Sequence, residues 1–192
     1  VVGVYQAYGR GDDIVLDLGN GDSTSLAMLR NQTAGAANVS LADFVSEAGE
    51  DVTLFALTSG VGTDNFIAEC RQKGDEYEAI MAKLLADRLA EAFAGALFPS
   101  PKGGCRAAFG YPTCPDHSLK KDVFRLLDAE EVTDMHLTEN YMIVPGESIC
   151  GIIISQGEFF NVGKVSDDQL SDYAARRKMN IEEIKRLIPK NL

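Results

Sequence analysis

The sequence predicts an α+β fold in which antiparallel hairpins alternate with amphipathic helices, and three observations carry that prediction. Gly19-Asn20-Gly21-Asp22 is a strong hairpin signal between two apolar runs near the start. Residues 75 to 97 repeat apolar side chains at three-and-four spacing over many turns. Between Leu137 and Val165 come short apolar stretches broken by turn residues such as Gln156-Gly157. With 192 residues the chain suits one domain, spanning 1–192, large enough to bury a core without disulfide or metal staples.

In order, Val1 to Tyr8 is an uncharged, β-rich first strand, Ile14 to Leu18 a second, and Ser23 to Leu29 its return. Ser40, with Asp43 three positions on, forms a weaker version of the capping box before a short helix. Val52 to Leu57 reads as a buried strand, after which Thr63 caps a helix carrying Phe66, Ile67 and Cys70. The long helix from Asp75 to Leu97 places Tyr77, Ile80, Met81, Leu84, Leu85, Leu89, Phe93 and Leu97 on what should be its core-facing side. Phe98-Pro99-Ser100-Pro101 with Gly103-Gly104 ends it, and the Gly- and Pro-containing stretch Cys105 to His117 reads as a loop with extended pieces. Ser118 caps a further helix with Val123, Phe124, Leu126 and Leu127 on its buried side. Leu137 to Val144, Ser148 to Ser155 and Glu158 to Val165 then read as three strands. Ser166 with Gln169, and Asn180 with Glu183, cap two closing helices, the second stopped by Pro189.

The formal net charge of −11 repels phosphate backbones and argues against nucleic acid as a partner. Apolar runs are too short to span a bilayer, and the first residues lack a secretory pattern. The four cysteines, with Cys105 and Cys114 too far apart for a standard zinc pair, read as reduced thiols in a cytoplasmic protein with no metal centre. A first residue of Val rather than Met suggests a domain taken from a larger chain or assembly.

The segment with chemical character is Arg106-Ala107-Ala108-Phe109-Gly110-Tyr111-Pro112-Thr113-Cys114-Pro115-Asp116-His117. Its glycine and prolines hold the backbone on a fixed, irregular path. Arg106 offers a planar fork of donors suited to a carboxylate, and Tyr111 presents a phenol from a rigid corner. His117 fits a hydrogen-bonded residue at a helix entry better than a metal ligand.

This segment resembles the signature of the activation domain of cobalamin-dependent methionine synthases: arginine, then Gly-Tyr-Pro, a variable residue, Cys-Pro, and an acidic residue before histidine. Val1-Val2-Gly3-Val4, Gly11-Asp12-Asp13-Ile14 and Leu41-Ala42-Asp43-Phe44-Val45 resemble the family's early elements in the same order. Met81, Lys83 and the run Ala86 to Ala94 resemble its long helix. Leu137-Thr138-Glu139-Asn140 ahead of Pro145, Gly146 and Ser148 fits as well, as do Asp168-Gln169, Asp172-Tyr173-Ala174 and Pro189 to Leu192 at the end. The resemblance spans essentially the whole chain.

It implies a twisted antiparallel sheet with flanking helices, shaped like a C, with S-adenosylmethionine (AdoMet) in a shallow inner groove. The implied activity is reductive reactivation of a corrinoid, as part of a methyltransferase. The cobalamin is held by a partner domain or subunit, and a flavodoxin-type reductant supplies the electron. By the same resemblance Arg106 contacts the methionine carboxylate of AdoMet, and Ala108 belongs to the main-chain wall of the site. Tyr111 approaches the cobalt face as the catalytic position, and Phe159 and Phe160 stand where an aromatic pair lines the site. Asp87 and Glu91 match acidic positions of the long helix. The family aspartate that precedes the first strand is not in this sequence, the link from long helix to arginine is short, and Phe159-Phe160 replaces what are often tyrosines. These departures frame an alternative, a non-catalytic corrinoid-protein interaction module without AdoMet binding.

Overall fold

The computed structural model describes all residues, 1–192. A six-stranded, fully antiparallel sheet organises the chain. Its strands are β1 (Val2–Arg10), β2 (Asp13–Gly19), β3 (Asp22–Ala27), β4 (Glu50–Thr58), β5 (Cys105–Ala108) and β8 (Ser148–Ile154), in the order β3-β2-β1-β4-β8-β5. The predicted hairpin at Gly19 to Asp22 joins β2 to β3. The predicted antiparallel sheet with flanking helices is therefore the observed architecture.

The two faces of the sheet are covered differently. Val52, Leu54 and Ala56 of β4, Cys150, Ile152 and Ile154 of β8 and Cys105 and Ala107 of β5 point into the main core. That core is closed by α3 (Leu119–Leu126), which brings Leu119, Val123 and Phe124. On the opposite face Phe55, Leu57 and Ile149 meet Ala90 and Ala94 of α2 (Glu76–Leu97). Beside α2 lies α1 (Thr63–Gln72), joined to it through Ile67, Cys70 and Ala79. A second core at the β3 end gathers Ala27 and Leu29 with α5 (Asp167–Arg177) and α6 (Ile181–Leu187), through Leu170, Tyr173 and Ile184.

Both predicted capping boxes at Ser40 and Asn180 are present. Asp43 Oδ2 accepts from the Ser40 amide at 2.9 Å, and Glu183 Oε2 accepts from the Asn180 amide at 3.1 Å. Ser166 and Gln169 form no such pair. Gln169 instead brackets the Arg30 main chain, accepting from its amide at 2.6 Å and donating to its carbonyl at 3.1 Å, which ties α5 to the end of β3. At the start of α1 the capping position belongs to Gly62, and Thr63 is already helical.

Three larger expectations are corrected. The large apolar residues of α2 do not face the core: Tyr77 is 76% exposed and Leu85 58%, while the buried positions are Ala79, Ala86, Ala90 and Ala94. The sheet supplies the bulk there, through Phe55, Leu57 and Ile149, so the helix approaches it with small side chains. Glu158 to Val165 is not a strand. Both edges of β8 are already paired, with β4 and β5, so no ladder is open to a returning strand. Leu137 to Val144 is a small hairpin of β6 (His136–Leu137) and β7 (Ile143–Val144), because the polar Thr138-Glu139-Asn140 turns the chain back. A short helix that sequence reading did not foresee, α4 (Ala129–Val132), precedes it. The extended piece expected in the Cys105 to His117 stretch is β5, with Cys105 and Ala107 alternating against Arg106 and Ala108 across the sheet.

Candidate functional site

Arg106 and Ala108 lie on β5, the edge strand, which pairs with β8 alone. The Phe109 amide bonds the Cys150 carbonyl at 3.0 Å, so the odd-numbered residues of β5 spend their main-chain groups on β8. By alternation Arg106 and Ala108 turn theirs to the free edge. Their side chains project to the face covered by α2. There the Arg106 guanidinium lies over the last turns of the helix, donating to the Phe98 carbonyl at 3.1 Å.

After β5 the chain makes the tight turn that presents Tyr111. The Cys114 amide bonds the Tyr111 carbonyl at 2.8 Å, and the Gly110 amide bonds the Cys114 carbonyl at 2.8 Å. Gly110 has φ +93°, and a Cβ there would stand 2.5 Å from the His117 ring, so only glycine lets the turn lie flat on that imidazole. His117 Nδ1 is 2.8 Å from Lys120 Nζ, at the entry of α3, as the sequence suggested for a hydrogen-bonded residue. Asp116, 1% exposed, anchors the segment from behind. It accepts from the Ser118 amide at 2.7 Å, from the Ser118 hydroxyl at 2.9 Å and from the Tyr173 hydroxyl at 2.7 Å, with Arg177 Nε at 3.6 Å. Ser118, expected as a helix cap, spends its hydroxyl on this carboxylate instead.

Tyr111 stands between two clefts of opposite charge. On the α2 side is a cleft of about 280 Å³ lined by Asp87, Glu91, Glu147 and Arg88. The Tyr111 hydroxyl donates to Glu91 Oε1 at 3.3 Å across it. Burial, with Glu91 alongside, pushes the phenol above its ordinary value, so it stays protonated as a donor. Lys83, Asp87 and Glu91 form one row at four-residue spacing on that flank of the helix. On the other side of Tyr111 is a cleft of about 550 Å³ whose charged residues, Lys164, Arg186 and Lys190, are all basic, with His117 beside them.

Glu147 is a site feature that sequence reading missed. It is 1% exposed; its Oε1 accepts from Lys83 Nζ at 2.6 Å while its Oε2 has no partner. That hydrogen bond raises the Lys83 ammonium above its ordinary value. A glutamate in a Pro-Gly turn carries no sequence sign of burial; the available signal was the Lys83-Asp87-Glu91 row.

The aromatic pair divides. Phe160 turns its ring onto the core, 6.4 Å from the ring of Phe44, and its carbonyl accepts from the Thr113 hydroxyl at 2.7 Å. Phe159 points outward and is 66% exposed. The fold thus brings Arg106, Ala108 and Tyr111 onto one edge beside α2, and docks the Phe159–Phe160 main chain on the Tyr111 turn without bringing both rings to that edge.

An open sheet edge carrying Arg106 thus lies beside a helix flank that bears Asp87 and Glu91, with the Tyr111 phenol bonded to Glu91. Known proteins place it further. The sequence model of the vitamin B12-dependent methionine synthase activation domain matches residues 1–100 and 96–178, and the chain belongs to that family. The crystal structure of the MetH reactivation domain bound to AdoHcy is 33% identical in sequence. It superposes with a TM-score of 0.90 over 100% of this chain and 69% of that one.

Proposed function

We propose that the chain binds AdoMet along the free edge of β5 beside α2 and positions its methyl group for a corrinoid held by a partner domain, in the reductive reactivation of cobalamin-dependent methionine synthase. The observation that carries this reading is the charge order along that side of α2. Arg106 lies near Gly95 and Phe98, and Glu91 with Asp87 lies one and two helical turns earlier. AdoMet has a carboxylate at one end and a sulfonium cation beyond it, so this order suits it. Arg106 takes the carboxylate as a charge-assisted pair. The edge-facing main-chain groups of Arg106 and the Ala108 amide suit the polar edges of the ligand, the Ala108 carbonyl being taken by the Tyr111 amide at 3.3 Å, and the acidic row suits its cation. Exposed Phe159 is the member of the aromatic pair free to cover it.

When bound, AdoMet supplies an activated methyl. The chain needs no base or nucleophile for that transfer; its residues orient the ligand and shield it from water. Tyr111, held protonated by burial and by Glu91, sets the floor against which a corrinoid face would rest. The cobalamin-bearing domain and a flavodoxin-type electron donor complete the reaction, in the cytoplasm.

Isothermal titration with AdoMet tests the reading. Binding is expected, with Arg106→Ala weakening it by roughly 10- to 100-fold through loss of a charged hydrogen-bond partner. No heat at millimolar AdoMet from folded protein refutes it. Retained binding to a cobalamin domain in that case would support the interaction-module alternative.

A further inference from the structure

Glu147 is buried beside the Tyr111 cleft with one of its two carboxylate oxygens unpartnered. A carboxylate held in that way costs stability, so a role as a plain anchor does not account for it. Its place is closely fixed. The Glu147 carbonyl accepts from the Ser59 amide at 3.0 Å, and the Ser59 hydroxyl donates to the Ala86 carbonyl of α2 at 2.6 Å. A Cβ on Gly60 would stand 2.6 Å from Glu147 Oε2, so the main chain leaves room for this carboxylate and for nothing larger behind it. Lys83, in contrast, has other partners within reach. Its side chain is 55% exposed, and Glu147 first, then Asp87 and Asp64, favour its charged form. Asp87 lies four residues along the same flank, the spacing at which opposite charges close on a helix. Yet Lys83 pairs with Glu147, and Asp87, Glu91 and Arg88 are in no ion pair.

We infer that Glu147 is a positioning residue that holds Lys83 away from Asp87 and so keeps the cleft beside Tyr111 negative toward a ligand's sulfonium. This rests on the AdoMet reading above and adds to it a means of telling AdoMet from AdoHcy, which carries a neutral thioether at the same atom. The balance of charge is fine enough for one residue to decide it. Around the cleft, Asp87, Glu91 and Glu147 meet Arg88 and Lys83. With Glu147 in place the carboxylates outnumber the cations. Without it the two signs cancel, a freed Lys83 closes on Asp87, and a sulfonium meets a neutral wall. AdoHcy shares the carboxylate, the ammonium and the adenosine of AdoMet, so its binding is indifferent to that change.

Two measurements on the whole chain test this, using Glu147→Gln, which keeps the shape, and Glu147→Met, which also removes the acceptor. In crystals of Glu147→Met, Lys83 Nζ is expected within about 4 Å of an Asp87 oxygen, ion-pair distance. Lys83 still turned away from Asp87 overturns the proposal. Calorimetric titration with AdoMet and with AdoHcy reads the consequence. Both variants should weaken AdoMet about fivefold, the size of one charge cancelled at roughly 8 Å in a half-solvated cleft, and AdoHcy less than about twofold. Adding Lys83→Met to Glu147→Gln should bring AdoMet back to within about twofold of wild type. Equal weakening of the two ligands marks a merely structural residue and overturns the proposal, as does the absence of that recovery. A wild-type chain that binds neither ligand refutes the AdoMet reading and the sulfonium role with it, while Lys83 on Asp87 in the variant crystal still supports the hold of Glu147 on Lys83.

Discussion

Replacing Asp116 by alanine should destabilise the fold by about 3 kcal/mol, near the low end of what breaking a buried charge pair costs. The magnitude follows from who is left behind. Tyr173 is 1% exposed, and its hydroxyl loses an acceptor at 2.7 Å. The buried Ser118 amide loses its own at 2.7 Å. Arg177 is better placed, because Asp122 at 2.8 Å and the Ser118 hydroxyl at 2.8 Å still hold its guanidinium, which keeps the cost from the top of the range. Tyr173→Phe removes a single charged hydrogen bond and should cost about 1.5 kcal/mol. Urea unfolding followed by circular dichroism reads both through the midpoint at constant slope. The double variant should fall short of the sum, since the two changes share one contact. An Asp116→Ala cost under about 1 kcal/mol, or strict additivity, would refute the view that this carboxylate joins the Tyr111 segment to α5.

Lys83→Met leaves the Glu147 carboxylate buried and unpaired and should cost about 2 kcal/mol, discounted because the ammonium is half exposed; adding Glu147→Gln should recover most of it, measured by thermal unfolding. Burial first, then Lys120, holds the His117 imidazole below its ordinary 6.5. Between the two values the unfolded chain binds a proton that the folded chain does not. Stability therefore falls as pH drops through that window, and His117→Asn should flatten the dependence. All four thiols are buried, and burial pushes Cys150 up to about 12. A disulfide reagent at about pH 8 should leave the native protein almost unlabelled and react with every thiol in urea.

Much of the fold was legible where one local rule decides. The Gly19 to Asp22 turn, the two capping boxes and the continuous apolar runs of the buried strands β4 and β8 needed no tertiary information. The orientation of α2 was not legible. Its periodic row is real, but periodicity locates large side chains and not the partner they meet. Whether the sheet needs bulk or room there depends on Phe55, Leu57 and Ile149, strands distant in sequence. Glu158 to Val165 misled for a related reason: it is apolar enough for a strand, but a hairpin back onto β8 needs a vacant side of that strand, and β4 and β5 occupy both. In the site, the resemblance to a known signature pointed to Arg106 and Tyr111, whereas Glu147 became visible only when Lys83 and Gly60 were seen to enclose it.

The strand order also has a consequence for how the site comes into being. β1 to β4 pair among themselves, so that half of the sheet can form while the remainder of the chain is still being synthesised. β5 has no such option. Its one neighbour, β8, is made only after α3, α4 and the β6–β7 hairpin, and β8 must also pair with β4. Arg106 and Tyr111 are thus present in the nascent chain long before the strand that fixes their geometry, and the β5 edge is expected to be the last part of the sheet to zip. A time-resolved refolding experiment would see ligand competence appear after the bulk of the strand signal, as a late and separate event.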